Sequence, residues 1–219
     1  MAWFLDGTAG AYFSVHPSGM SIQAPFTFAG MFNSTSNDGK QLYAVHTGAS
    51  SHRIYLHIRT SQEIRLSRDA GGTANHVDTT TIAAHDTWGH AAARMVATDD
   101  AHVYLDGGNS AQSTTSRVVN AADELSLGVQ NGGANDEFDG FLAEWAVWTV
   151  ALDVAEIESL ATGLSPLCVR PSALYSYIPC WRNDPPVDHV LPDAWVKSGS
   201  SQTVVEHPRS FNPIYAMCG

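Results

Sequence analysis

Short runs in which apolar side chains recur at every second position make up most of the chain as far as Leu164. In the run RIYLHIRT, Ile54, Leu56 and Ile58 alternate with tyrosine, histidine and arginine. Alternation with a period of two places successive side chains on opposite faces of an extended chain, so each run predicts a strand. Turn residues (Asn, Asp, Gly and Ser) separate the runs. The pattern predicts an all-β protein built as a sandwich of two sheets.

The stretch FDGFLAEWAVWTVALDVAEIESLATG, residues 138–163, predicts a strand that runs into a short helix. Asp153 is placed as the helix N-cap, with Glu156 three residues later as in a capping box, and Gly163 as the C-terminal stop. Both faces of the strand are largely apolar, which predicts a central strand covered on both sides. Alternation assigns Phe141, Ala143, Trp145 and Val147 to one face and Leu142, Glu144, Ala146 and Trp148 to the other.

The charge balance limits the partners of the protein. The chain has 22 acidic and 11 basic residues and a net charge of −11. An acidic balance argues against nucleic acid or an anionic membrane surface as a partner. No apolar run approaches the roughly 18 residues of a membrane span. The first residues, MAWFLDGTAG, lack the basic and apolar regions of a secretory signal, which predicts synthesis in a cytoplasm without the usual export route.

The three cysteines are Cys168, Cys180 and Cys218. Three cysteines cannot all pair within one chain, and their spacing matches no zinc-binding pattern. Buried free thiols are therefore predicted.

The composition changes after residue 165, since eight of the ten prolines lie in residues 166–219. The run ALYSYIPC still predicts a last strand, so residues 1–183 are predicted to form one domain and residues 184–219 an extended Pro-rich arm. The arm keeps many apolar residues, which flexible linkers lack. Two alternatives follow: the arm docks on a neighbouring subunit, or it wraps its own sandwich.

A family resemblance rests on several motifs in order: FLDGTAGAYFSV, PFTFAGMF, TWGHAAARM with Trp88 and His90, VYLDGG, LSLG, and the closing strand and helix of residues 138–163. Over roughly residues 2–183 the chain resembles a laminin-G-like domain of the concanavalin A-like lectin/glucanase superfamily. The resemblance implies a two-sheet antiparallel jelly-roll sandwich (concanavalin A-like) with one short helix, here followed by the Pro-rich arm.

A second resemblance, to virion proteins of tailed bacteriophages, rests on the missing signal peptide and the Pro-rich arm. It implies a non-catalytic structural protein on the virion surface, such as a capsid decoration protein, whose partners are other virion subunits, including copies of itself. One alternative is a carbohydrate-binding lectin or adhesin, on a phage or at a bacterial cell surface, that binds a cell-surface glycan. A glucanase-type glycoside hydrolase is the third alternative.

The hydrolase alternative is disfavoured by the spacing of the acidic residues. The resemblance to glucanases implies a Glu-x-Asp-x-x-Glu strand motif, and retaining chemistry needs a carboxyl pair about 5 Å apart. Glu137 and Asp139 fit the start of the motif, but the next acid, Glu144, falls on the opposite face of a regular strand. No catalytic residues are therefore predicted, and the protein is expected not to be an enzyme.

Two kinds of binding site are considered. The resemblance implies that a rim loop can hold calcium, for which QNGGANDEFDG offers Asn131, Asn135, Asp136 and Asp139, although such clusters are also ordinary turn chemistry. No other cofactor is predicted. For a glycan, Trp181 and Trp195 are the candidate stacking residues, because they lie in or beside the arm.

Overall fold

The computed structural model describes residues 2–8, 10–36, 40–47, 52–129, 136–180 and 187–199, and the backbone of residues 202–205. Strands dominate, and one α-helix, α1 (Val154–Ala161), interrupts them. The strands are β1 (Ala2–Asp6), β2 (Tyr12–Val15), β3 (Phe26–Ser34), β4 (Gln41–His46), β5 (His52–Ile58), β6 (Glu63–Ala70), β7 (Thr73–Ile82), β8 (Gly89–Ala97), β9 (Asp100–Leu105), β10 (Gly108–Ser113), β11 (Glu124–Leu127), β12 (Asp139–Trp148), β13 (Leu174–Ile178), β14 (Val196–Ser198) and β15 (Gln202–Val205).

The strands form two antiparallel sheets. The eight-stranded sheet has the order β10-β9-β8-β3-β12-β1-β15, with β13 also paired to β12. The seven-stranded sheet has the order β14-β2-β11-β4-β5-β6-β7. Most neighbours are distant in sequence, as in a jelly roll, so the predicted two-sheet jelly-roll sandwich is confirmed.

The core between the sheets is built from aromatic and aliphatic side chains. Trp145 of β12 stacks on Tyr43 of β4 in the opposite sheet, with ring centroids 5.2 Å apart and an interplanar angle of 5°. Val147 and Trp145 are both fully buried in this core. Burial of two such large rings contributes several kcal/mol to folding. Alternation assigned these two residues to one face of a covered strand, and the structure shows that this face lies between the sheets.

Strand β12 carries a β-bulge between Ala143 and Ala146. Glu144 takes a positive φ of 56°, and the extra residue shifts the alternation by one position. Leu142 therefore shares the inner face with Trp145, whereas Phe141 and Ala143 lie on the outer face of the sheet. The two faces predicted from regular alternation are wrong on the N-terminal side of the bulge.

Helix α1 covers part of the outer face of the eight-stranded sheet. Ile157 and Leu160 pack there with Trp148, so β12 is buried on both faces as predicted. The capping box is confirmed: Glu156 N donates to Asp153 Oδ1 at 2.9 Å, and Asp153 N donates to Glu156 Oε2 at 2.7 Å. In the described part of the chain, no helix has the length and apolarity needed to cross a membrane.

The sequence patterns failed to predict β7 and β10. Both are largely exposed and polar, and they lie at the same end of the two sheets. An edge strand need not bury an apolar face, so it leaves no alternation to detect.

Residues 187–199 pack on their own sandwich. Trp195 belongs to the main core, and β14 pairs with β2 as the edge strand of the seven-stranded sheet. Asp188 is the hub of this segment, accepting hydrogen bonds from Ser176 Oγ, Trp195 Nε1 and the backbone N–H groups of Tyr177, Val190 and Leu191. Trp195 of this segment is thus buried in cis, as in the second alternative, whereas Val187, Val190 and Val196 stay exposed.

The cysteines differ from the prediction. Cys180 is a buried free thiol, as expected. Cys168 is disulfide-bonded, so the prediction of free thiols is wrong for this residue. Cys218 lies outside the described residues.

Candidate functional site

The outer face of the seven-stranded sheet is polar where β4, β5 and β6 meet. Arg53, Tyr55 and His57 occupy alternate positions of β5, because the intervening residues point into the core. Antiparallel pairing sets His57 opposite Arg65 of β6 and Arg53 opposite Asp69. Cross-strand neighbours on one face are close enough for their side chains to interact. A patch of hydrogen-bonding side chains is therefore held on a rigid sheet.

These side chains line an open groove of about 300 Å³. A loop residue, Asp136, closes one side of it, and Thr60 follows the end of β5. The groove is lined by Gln41, Arg53, Tyr55, His57, Arg59, Thr60, Arg65 and Asp136.

Ion pairs at one side of the groove fix two of its arginines. Asp78 of β7 accepts two hydrogen bonds from Arg65, from Nε at 2.6 Å and from Nη2 at 2.8 Å. The same carboxylate accepts from Arg59 Nη1 at 3.2 Å. The pKa of Asp78 is lowered, mainly by the hydrogen bond from Arg65. Paired guanidinium groups of this kind are pre-organised, so a ligand does not have to order them.

Arg53 is held more loosely. Its Nη2 lies 3.5 Å from Asp69 Oδ2, the limit of a hydrogen bond, and its guanidinium carbon lies 5.3 Å from the Tyr55 ring centroid. Tyr55 also makes an edge contact with the imidazole of His57, with ring centroids 5.3 Å apart. The aromatic ring therefore separates the two nitrogen-bearing side chains of β5 and keeps both in place.

The imidazole of His57 is neutral and oriented. Gln41 Nε2 donates to His57 Nδ1 at 3.4 Å, which leaves the ring proton on Nε2. Burial lowers the pKa of His57 to about 3, and the charge of Arg65 is the next cause. His57 Nε2 and Gln41 Oε1 are both buried, and neither has a hydrogen-bond partner among the described residues. Both side chains line the groove, and a ligand group that reaches these two atoms would complete their hydrogen bonding.

The residues predicted for calcium are not assembled into a site in the described part of the chain. Asp136 lines the groove and accepts from Gln41 N through its main-chain oxygen at 3.0 Å. Asp139 begins β12, opposite Asp6 of β1. Asn131 and Asn135 lie outside the described residues. Among the residues that are described, no three His, Cys, Asp or Glu side chains are grouped so as to hold a metal ion.

The tryptophans predicted for glycan stacking do not form the groove. Trp195 is 1% exposed, and its indole N–H donates to Asp188 at 3.3 Å. A buried ring cannot present a face to a sugar, so Trp195 is wrong as a ligand-binding residue. Trp181 lies outside the described residues.

The acidic residues of the glucanase motif are engaged separately. Glu137 is buried, and its Oε1 accepts from Gly10 N at 2.9 Å. Glu144 accepts from the hydroxyl of Tyr177. The β-bulge at Glu144 breaks the regular alternation that placed this residue opposite Asp139, so strand face alone does not exclude the motif. Glu137 and Glu144 are held by different partners on different segments, Gly10 and Tyr177.

Sequence reasoning recognised the alternation of Tyr55, His57 and Arg59 but did not identify the groove. A polar face on a strand normally means contact with solvent. What distinguishes this face is the pairing of β5 with β4 and β6, which brings Gln41 and Arg65 beside His57. Such pairing is a long-range property that no local pattern contains.

The two antiparallel sheets, with a short helix after the last central strand, define a lectin-type jelly-roll domain. The family model described as the concanavalin A-like lectin/glucanases superfamily matches residues 6–158. The chain belongs to this superfamily, and the resemblance predicted from its motifs is confirmed. A search of curated proteins finds no match.

Several solved structures share the fold. A putative carbohydrate-binding protein from Bacteroides ovatus superposes with a TM-score of 0.64 at 16% identity, over 93% of this chain and 61% of that one. A heptameric SAP-like pentraxin from Limulus polyphemus gives 0.61 at 11% identity, over 92% and 93%. The CBM40 of the Ruminococcus gnavus IT-sialidase, bound to α2,3 sialyllactose, gives 0.59 at 13% identity, over 73% and 96%. At these identities the likeness shows the fold alone.

Proposed function

We propose that the protein is a non-catalytic carbohydrate-binding module that holds a saccharide in the groove on the seven-stranded sheet. The observation that carries the proposal is the pair of buried, unused hydrogen-bonding atoms in this groove, His57 Nε2 and Gln41 Oε1. A buried polar atom without a partner costs about 1–3 kcal/mol, and a ligand that bonds to it recovers that free energy. The described neighbours Arg59 and Arg65 are fixed beforehand by Asp78.

A saccharide suits the chemistry of the groove. Each sugar hydroxyl both donates and accepts, so one hydroxyl can accept from His57 Nε2–H while its neighbour donates to Gln41 Oε1. The open groove gives access to the end or the side of a glycan chain. The presence of carbohydrate-binding proteins among the structural neighbours supports the proposal.

The test is binding to a glycan array, followed by titration calorimetry with the best ligand. We expect His57→Phe to weaken binding at least ~10-fold, because it removes the Nε2–H donor and keeps the ring volume. The matched control is His76→Phe, on the same sheet but outside the groove lining; it should leave the affinity unchanged. No binding to any glycan, or equal affinity of His57→Phe and wild type, contradicts the proposal.

The absence of catalysis is part of the proposal and has its own test. The separate engagement of Glu137 by the Gly10 N–H and of Glu144 by the Tyr177 hydroxyl supports it. Incubation with glucans and other oligosaccharides should release no reducing sugar. Turnover that disappears in Glu137→Gln or in Asp139→Asn would favour a glycoside hydrolase instead.

The virion-surface role remains a proposal founded on the sequence, with the low charged fraction of 15% and the Pro-rich C-terminal region as its support. A glycan-binding module on a particle is compatible with this role, since a particle meets host glycans; a bacterial cell surface is the alternative location. Mass spectrometry of purified particles is the test: the chain should be present at a defined copy number, and its absence from particles contradicts the role.

A further inference from the structure

Positive charge is concentrated in the groove of an otherwise acidic protein. The chain has a net charge of −11 and 11 basic residues. Three of these, Arg53, Arg59 and Arg65, line the groove, whereas Asp136 is its one acidic lining residue in the described part of the chain. Carboxylates outside the lining pair with all three arginines, so an anion binds best where that pairing is weakest.

The carboxylates around the groove do not satisfy the three arginines equally. Asp78 serves both Arg65 and Arg59, and Glu63 approaches Arg59 only at 3.7 Å. Arg53 has the long contact of 3.5 Å to Asp69. The Nε of Arg53 is buried and makes no hydrogen bond within the described residues. Arg53 is therefore the guanidinium with the most remaining capacity to bind an anion.

A second unused donor lies on the same strand. This donor is the Nε2–H of His57. The ring of Tyr55 contacts both the imidazole of His57 and the guanidinium of Arg53, which lie two positions after and two positions before it. The imidazole stays neutral because burial lowers its pKa to about 3, with Arg65 the strongest of the charges acting on it. Among these charges, Arg65 outweighs Asp78 at the imidazole, which agrees with a positive local potential.

We propose that the ligand of this groove is an acidic saccharide, one whose terminal or internal sugar bears a carboxylate, and that Arg53 binds that carboxylate. The inference rests on the proposed carbohydrate-binding function and specifies its ligand class. His57 Nε2–H supplies a further hydrogen bond to the same sugar. Charge-assisted hydrogen bonds from arginine are roughly twice as strong as neutral ones, so the carboxylate decides between sugars of equal shape.

The experiment compares acidic and neutral saccharides of matched shape by titration calorimetry on the full chain. The pairs are cellobiouronic acid with cellobiose, and sialyllactose with its uncharged carboxyl methyl ester. We expect the acidic member of at least one pair to bind ~10-fold or more tightly than its neutral partner. In Arg53→Gln this preference should fall to about twofold or less, since the carboxylate loses its charged donor. Raising the salt concentration should also reduce the preference.

The matched control is Arg94→Gln, which removes an arginine from β8 in the other sheet and should keep the preference intact. Circular dichroism checks that both variants are folded. Equal binding of acidic and neutral partners, or a preference that persists in Arg53→Gln, overturns the inference while the carbohydrate-binding function stands. Failure of every saccharide, acidic or neutral, to bind defeats both.

Discussion

Gly30 of β3 allows the indole ring of Trp145 in the core to lie flat against its strand. A Cβ built at Gly30 would lie 2.3 Å from Cδ2 of Trp145 and 2.5 Å from Cγ. The ring cannot move away, because its other face stacks on Tyr43 and its Nε1 donates to the carbonyl oxygen of Met31 at 3.1 Å. The absence of a side chain at this position is thus a packing requirement, and backbone flexibility is not the reason for the glycine.

Gly30→Ala should therefore destabilise the protein by about 2–3 kcal/mol, the upper part of the usual range for overpacking in a rigid core. The matched control is Gly108→Ala in β10, where a Cβ meets no atom within 4 Å. Chemical denaturation monitored by tryptophan fluorescence measures both. A cost at Gly30 no larger than at Gly108 would show that the Trp145 ring has room to shift.

For single residues, the sequence predicted much of the core and little of the groove on the seven-stranded sheet. Trp145 and Val147 were assigned to the core by alternation alone, and the structure agrees. His57 was identified as an outward residue, but its unused Nε2–H depends on Gln41 of another strand. Trp195 was expected in a ligand site because it lies in the Pro-rich arm. Trp195 is buried because the strand that follows it, β14, pairs with β2 at the edge of the seven-stranded sheet.

Of the secondary-structure elements, β12 and helix α1 show which features a local sequence pattern can predict and which it cannot. The capping box needs only residues within one turn, so Asp153 and Glu156 predicted it correctly. The bulge at Glu144 is instead a feature of the pairing between β12 and β3, and no residue type within the strand predicts it. Regular alternation was the correct expectation for the isolated sequence, and it failed where a neighbouring strand imposed an extra residue.

Asp188 is the residue on which residues 187–199 depend. Asp188→Ala would leave buried donors without an acceptor, among them the indole N–H of Trp195 and the backbone N–H of Tyr177. Since each unsatisfied group costs about 1–3 kcal/mol, the free energy of unfolding should fall by about 3 kcal/mol or more. Asp193→Ala, five residues further along, is the control and should cost less than about 1 kcal/mol.

Thermal unfolding of the two variants measures the difference. Faster proteolysis of the C-terminal region in Asp188→Ala than in Asp193→Ala would locate the effect in this segment. If Asp188→Ala is as stable as wild type, the segment is held by Trp195 and β14 alone.

For the whole molecule, buried histidines predict loss of stability in mild acid. Burial lowers the pKa of His46 and of His90 to about 4, and that of His57 to about 3, from an ordinary value of 6.5. Between those values the unfolded chain binds protons that the folded chain does not, so stability falls as the pH drops from about 6.5 towards 4. Glu124 acts in the opposite direction, since burial raises its pKa.

His90→Asn tests this dependence, because His90 is fully buried. A histidine of this kind contributes a slope of about 1.4 kcal/mol per pH unit between its two pKa values. The variant should therefore show a shallower decline in the free energy of unfolding between pH 6 and pH 4.5, whatever its stability at pH 7. Met95→Leu, also in the core, should change stability without changing the slope. An unaltered slope in His90→Asn would mean that His90 does not contribute.

Strands β14 and β15 are translated long after β1 and β2, the strands with which they pair. In the described sheets, β2 pairs with β11 and β14, and β1 pairs with β12 and β15. Strands β1 and β2 leave the ribosome before the rest of the sandwich, yet the first strand that pairs with either begins at Glu124, and β14 and β15 follow later still. Until those partners emerge, β1 and β2 therefore expose unpaired backbone groups, a state prone to association with other nascent chains. The sandwich can close only after β14 and β15 have been made.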